Sequence, residues 1–556
     1  MKRFKLNIII AGALTLSLFS SCADSFLNSE PKTSLLDENF YKTEADAEMA
    51  LVGCYDGYQL TSSGFPIYLV ATVASDECFG GTGANDGRGY QMIDRLDKSQ
   101  SPADNNVFND TWSKYYTGIY RCNNLLQKLP NITAWKSSKD SANNITKKRI
   151  EGETRFLRAL MYFDLVRMFE NVPLLTEPTT ANIPQADPSE TYKLIVTDLK
   201  FAAANIPANA YPKALAATND GRVTRYAAES LLARVYLFYT GYYAKNDLGV
   251  TKQEVLTGLE DVISSNEFDV LPDFKTLWRA SSYKLDTLKG VKGKDGKDSI
   301  YLNKQFYAGK GNKEVVFAQK FNSTSDYNGM SDGNGWLVMM GMRGTNFSPY
   351  GKGWGACTVN PLLVNAYPSG DKRRTASIID LVGENIQGVF NINDQKEYTG
   401  YTVKKYTPTA LPDGTSDTGG SKDFQQSQDQ DYVQIRYADV LLMAAELGSP
   451  NAVAYFNKVH TRAGLTAVAS VSLSDILTER RYELAFEGIR YWDLLRTGVD
   501  NAANAIAASA QTVKSVGVDD HITYDVTKIK ATRGFMQIPN TQITLSGGVL
   551  KQNQGW

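Results

Sequence analysis

The stretch GETRFLRALMYFDLVRMF, residues 152–169, constrains the fold of this chain more than any other. At the helical period it places Phe156, Leu160, Phe163 and Phe169 near one face, and Leu157, Met161 and Leu165 along the opposite edge. A helix that is apolar on two sides has to lie between neighbours, so other helices must flank it. The segment TEADAEMALVGCYDGYQL supplies one: Thr43 followed by Asp46 is a capping-box pattern, and Ala47, Ala50, Leu51 and Cys54 share a face. Further helical patterns cover 107–129, 146–170, 189–205, 223–244 and 251–265, with Pro188-Ser189 before a start and Pro130 and Pro207 after ends. Helix pairs recurring every ~35–40 residues are the signature of tetratricopeptide-like stacking.

Between about residues 270 and 430 the character changes. Thirteen glycines from Gly290 to Gly355 interrupt every candidate element, with short β-like runs such as EVVFAQKF between them. A long irregular segment rich in aromatics inside a compact chain points to function. Helical pattern returns at YVQIRYADVLLMAAEL and AVAYFNKVHTRAGL. The expected fold class is therefore mainly α, a helical-hairpin scaffold carrying a large loop-rich insertion.

The first 22 residues, MKRFKLNIIIAGALTLSLFSSC, have the layout of a secretory leader: Lys2, Arg3 and Lys5, an apolar run, then small residues before a cysteine. The run is too short to span a bilayer. Ser20-Ser21-Cys22 resembles a bacterial lipobox, which makes Cys22 the expected site of lipidation by palmitate-type acyl chains, although Phe19 stands where leucine is usual. Cys54, Cys78, Cys122 and Cys357 form no C-x-x-C pair and read as buried small hydrophobes.

Charge and motifs exclude several functions. With 59 Lys+Arg against 60 Asp+Glu, no broad basic field is available for nucleic acid. The two histidines, His460 and His521, cannot make a multi-histidine metal site, and no metal or cofactor is expected. No G-x-S-x-G elbow or P-loop occurs, and the glycine-rich GMRGTNFSPYGKGWG lacks the strand-then-helix context of a nucleotide loop. ILTERRYELAFEGIRYWDLLRTG, residues 476–498, looks more chemical, with eight charged residues around Tyr491-Trp492. Read as one helix, it sets Glu483 and Glu487 on a common face, four apart. A glycosidase needs its two carboxyls on opposite sides of the sugar, one of them protonated near neutral pH. Arg480 and Arg490, each three residues from one glutamate, favour ionisation of both. A structural ion-pair lattice is the better reading.

GETRFLRALMYFDLVRMFENVPLL, RYADVLLMAAE, FNKVHTRAGL, LTERRYELAFEGIRYWDLLRTG and the terminal IPNTQI and LKQNQGW together resemble, in order and spacing, the SusD/RagB family of outer-membrane nutrient-binding lipoproteins. ENVP stands where that family usually has Gly-Asn-Val-Pro or Gly-Asp-Val-Pro. The resemblance implies a scaffold of four tetratricopeptide-like pairs and an irregular ligand-binding insertion. It also implies an outward-facing lipid-anchored protein that binds oligosaccharide without cleaving it and acts as a lid over a TonB-dependent SusC-like transporter. The expected division is a leader at 1–21, a helical region at 22–270, the binding insertion at 271–430 and a C-terminal helical region at 431–556.

Sugar faces stack on flat rings while their hydroxyls need a few fixed polar partners. Trp278, Trp336, Trp354 and Tyr350 in the insertion are candidate platforms, with Arg343 beside them. In the family the surface also draws on the early segment, here SDECFGGTGANDGRGYQMIDR. There Asp76, Asn85, Asp86 and Arg88 would supply polar tips, and Phe79 and Tyr90 rings. A peptide or other nutrient receptor on the same scaffold is the alternative, with a glycosidase third.

Overall fold

The computed structural model describes residues 40–136, 144–215, 220–324, 332–419 and 423–556. The leader and Cys22 lie outside the described residues. Helix α1 (Glu44–Gln59) starts at the anticipated capping box: the Thr43 side chain accepts from the Asp46 N–H, and the Asp46 carboxylate accepts from the Thr43 N–H. It packs against α2 (Asn109–Lys128). Their backbones touch: a Cβ added at Gly57 would sit 2.8 Å from the Gly118 α-carbon, so glycine is required there.

Two more pairs follow, α3 (Ile145–Phe169) with α4 (Pro188–Asn205) and α5 (Arg225–Tyr243) with α6 (Lys252–Ser264). Each helix also contacts the next pair, the stacking mode of a tetratricopeptide-like array. As its two-sided pattern requires, α3 is buried from Phe156 to Phe169 between α2 and α4. The fourth pair, α7 (Tyr437–Glu446) and α8 (Ala452–Arg462), comes after the long excursion and docks on α6. Among the described residues no helix is long and apolar enough to cross a membrane.

The excursion is built from short strands. The pairs β1 (Cys78–Phe79) with β7 (Thr358–Val359), β7 with β9 (Tyr401–Val403), and β9 with β8 (Ile378–Asp380) form one antiparallel sheet, joining the early segment to the insertion. Strands β2 (Lys284–Lys292) and β3 (Asp298–Asn303) make a hairpin whose first strand is largely exposed. Strand β4 (Val315–Gln319) pairs with β10 (Tyr432–Arg436), which runs directly into α7. Strands β5 (Met342–Arg343) and β6 (Lys352–Gly353) pair in parallel.

The insertion shares the scaffold's core. Phe317 on β4 lies 4.9 Å from the Phe156 ring and 6.0 Å from that of Tyr58. This seam is where two of the anticipated platforms sit, and it alters their meaning.

Candidate functional site

Six of the ten expected ligand residues are internal. Trp278 and Trp336 are only 1% and 2% exposed. Trp336 is enclosed by Tyr68, Tyr406 and Tyr432, with ring centroids 4.3, 5.0 and 5.5 Å away, and Trp278 lies 5.1 Å from Tyr406. These rings fill the seam between insertion and scaffold and present no open face to a sugar. Tyr350 is buried, its hydroxyl bonded to Glu384 and its ring under the Lys404 ammonium. Phe79 sits in a small cluster with Val513 and Ile522, and Tyr90 packs 4.9 Å from Phe65 with the ring planes tilted by 43°. Asp76 is buried and accepts from Arg490 Nε and Nη2 at 2.7 and 2.9 Å, with Arg481 Nη2 at 2.9 Å. Against the cost of its burial, those guanidiniums hold its carboxyl below the ordinary value.

The other four converge at the surface. Asn85, Asp86 and Arg88 are exposed on the loop between β1 and the helix Gly89–Arg95. That loop is fastened from both sides: the Thr82 N–H donates to the Gly355 carbonyl at 2.7 Å, and Lys396 Nζ donates to the Gly83 carbonyl at 2.7 Å. Arg343 lies directly across Gly83, where a Cβ would meet its Nη2 at 2.0 Å. Any side chain at residue 83 would therefore displace the guanidinium.

Arg343 links the loop to the ring platform. Its Nη1 donates to Asp86 Oδ2 at 3.3 Å, and its Nε and Nη2 donate to Asp394 at 3.1 and 3.3 Å. The guanidinium carbon stands 5.2 Å from the centre of the half-buried Trp354 ring. Trp354 in turn lies 5.8 Å from Phe424, tilted by 51°, and Lys352 Nζ stands 4.0 Å over Phe424. The Trp354 backbone is held by its N–H to the Val338 carbonyl at 2.8 Å. Sequence reasoning missed Asp394, Lys396, Lys352 and Phe424. Phe424 carried the one available signal, as a lone aromatic in a polar run, GTSDTGGSKDFQQSQDQD.

Geometry here matches what a carbohydrate needs: two ring faces at an angle, a planar guanidinium, and open carboxylate and amide tips around them. Beneath the loop are carboxyls of a different kind. Burial pushes Asp94 up to about 7 and Glu397 up to about 8, with Arg95 between them partly offsetting the effect.

The glutamates of residues 476–498 are elsewhere. Helix α9 (Leu473–Glu483) ends at Glu483, and Phe486 at φ 63° turns the chain before Glu487, so the two glutamates do not share a continuous helix as expected. Their partners also differ from the neighbours in sequence. Arg436 donates to Glu483 at 2.8 Å, to Glu487 at 2.8 and 2.9 Å and to Glu314 at 2.6 Å, while Lys405 donates to Glu487 at 2.7 Å and Arg373 to Glu479 at 2.5 Å. Arg480 serves Asp493 and Asp439 instead, and Arg490 serves Asp76. All of these glutamates are buried, so no sugar can reach between them. Against the cost of burial, Arg462, Arg436, Arg373 and Lys405 hold the Glu483 carboxyl far below its ordinary value.

A stack of four helix pairs that displays an aromatic surface on an irregular insertion defines a helical-repeat binding protein. A family model described as the SusD family matches residues 381–556, and one described as starch-binding associating with outer membrane matches residues 77–237. The SusD-like protein P25 of Formosa agariphila is 25% identical over 89% of this chain and 90% of its own length. A solved laminarin-binding SusD-like protein is 28% identical, with a TM-score of 0.69 over 93% of this chain and 100% of its own. Surface glycan-binding protein A of Bacteroides thetaiotaomicron, solved with laminarihexaose, has the same fold, with a TM-score of 0.70 at 21% identity over 93% of this chain and 100% of its own. On these matches, which fall in both halves of the sequence, the chain is SusD-like.

Proposed function

We propose that this protein is a non-catalytic receptor that captures an oligosaccharide on the surface formed by Asn85, Asp86, Arg88, Arg343, Trp354 and Phe424. It is anchored to the outer membrane by lipid on Cys22, faces the exterior, and hands its ligand to a SusC-like TonB-dependent transporter. The observation that carries the reading is the convergence of Trp354 and Phe424, 5.8 Å apart, with Arg343 and the exposed loop 85–88. These groups come from three separate parts of the chain. The name of the 28% identical structure makes laminarin the first glycan to try.

Titration calorimetry of the mature chain against laminarin oligosaccharides and a panel of other soluble glycans tests the assignment. Binding of at least one glycan, abolished in Trp354→Ala/Arg343→Ala, without release of reducing ends, is the expected outcome. No binding across the panel, or affinity untouched in the double variant, overturns it. Cys22→Ala should move the protein out of the membrane fraction.

A further inference from the structure

The four described cysteines lie in two buried pairs, and the packing distinguishes them. Helices α1 and α2 run antiparallel: Tyr41 meets Asn124 at 2.8 Å, Arg121 Nη1 donates to the Gly53 carbonyl at 3.0 Å, and Gly57 touches Gly118. Cys54 lies one turn before Gly57 and Cys122 one turn after Gly118, so both stand at the same level of the crossing on facing sides. Because the two glycines remove every side chain from the crossing point, the axes approach closely enough for the thiols to touch. Both are free, fully buried thiols, and Cys122 stands close enough to push the Cys54 thiol up.

Cys78 and Cys357 also touch, with different backbone geometry. Cys78 on β1 is paired with Val359, which puts Cys357 diagonally opposite, two residues along. Diagonal positions of an antiparallel pair are roughly 7–8 Å apart at their α-carbons. A disulfide spans at most about 7 Å without backbone movement.

We propose that Cys54 and Cys122 form a disulfide in the exported protein, while Cys78 and Cys357 remain thiols. The inference rests on the reading of this chain as exported, because oxidation needs a compartment that holds a protein disulfide as oxidant. A thiolate of one cysteine attacks that oxidant's disulfide, forming a mixed disulfide and releasing one of its sulfurs as thiolate. The second cysteine then attacks the mixed disulfide, closing the Cys54–Cys122 bond and leaving the oxidant as a dithiol carrying the two electrons. The step precedes completion of the core, since the Cys54 thiol is raised well above its ordinary value by the neighbouring Cys122 and by burial. The closed loop, residues 54–122, contains the exposed segment Asn85–Arg88 of the proposed ligand surface, so the bond pins that loop's covalent frame to the first helix pair.

The full chain, produced with its own leader in a bacterium with an outer membrane, is denatured in a maleimide before any reductant is added and mapped as peptides. The Cys54 and Cys122 peptides should appear linked, with label at Cys78 and Cys357, and Cys54→Ser should expose Cys122 to label. Chain 23–556 refolded in oxidised glutathione should form the same link and show a higher urea midpoint before reduction than after. Label on both Cys54 and Cys122 in an envelope-located chain overturns the inference, as does a refolded chain with no link. A leader-bearing chain found unprocessed and unlinked in the cytoplasm, beside a linked refolded chain, fails the export reading and leaves the pairing supported.

Discussion

Arg373 and Arg343 each hold more than one carboxylate, and they do opposite things. Arg373 is fully buried, its partners Asp371, Glu479 and Glu483 are at most 3% exposed, and the group joins Arg436, Arg462 and Glu314 into one lattice at the fourth helix pair. The Arg343 side chain is 11% exposed, yet its partners Asp86 and Asp394 are 47% and 40% exposed. A charge in the lattice has exchanged all its water for protein partners, so any loss leaves a counter-charge stranded. Around Arg343 water can replace a lost partner, so the same residue types remain available to a ligand. Tryptophan repeats the contrast, Trp336 sealed among three tyrosines and Trp354 half open beside Arg343.

The largest effect should come from the lattice. Arg436→Met takes the shared guanidinium from Glu314, Glu483 and Glu487 and leaves them to Arg462, Arg373 and Lys405; it should cost about 3–5 kcal/mol of stability in urea unfolding, while the folded fraction keeps its glycan affinity. A stable variant that no longer binds would move the site into the lattice and break the comparison.

The tryptophans come next and should separate cleanly. Trp336→Ala should lower the unfolding free energy by about 3–5 kcal/mol with binding retained. Trp354→Ala should leave the melting temperature nearly unchanged and weaken binding by about 2 kcal/mol, roughly thirtyfold. If both variants lose stability and neither loses affinity, the open surface is not the ligand platform.

pH gives the gentlest test, and its two limbs have opposite signs. Glu483 sits below its ordinary value, so the lattice contributes stability at neutral pH that is lost as acid protonates it. Glu77 at about 8, Asp94 at about 7 and Glu397 at about 8 are raised, chiefly by burial, and hold protons in the folded state that the unfolded chain has released. Their contribution is full below about pH 4 and lost as pH rises through 7 to 8, at no more than roughly 1.4 kcal/mol per pH unit for each proton. Urea midpoints from about pH 5 to about 9 should fall on the alkaline side, and Glu397→Gln should flatten that limb. An unchanged slope in the variant would mean that the carboxyls under the loop do not hold the proton.

The sequence alone determined the scaffold. Helix starts and stops at 109–128, 145–169, 188–205, 225–243 and 252–264 fall within two residues of the pattern's own limits, and the Thr43–Asp46 cap forms as spaced. Those features depend on neighbours three and four residues away, which a single chain displays in order. Asn85, Arg88, Arg343 and Trp354 were legible as candidates because ring and polar chemistry is visible in any sequence. Which of three insertion tryptophans faces water was decided only by tertiary structure. Trp278 and Trp336 became core because Tyr406 and Tyr432, from distant segments, close over them, and Asp394 and Phe424 reached the surface site for the same reason. Burial is a sum over non-local contacts, and no local period encodes it. The partners of Glu483 and Glu487 were hidden likewise: the nearest guanidiniums in sequence, Arg480 and Arg490, turn to other carboxylates, because the chain bends at Phe486 and Arg436 arrives from β10.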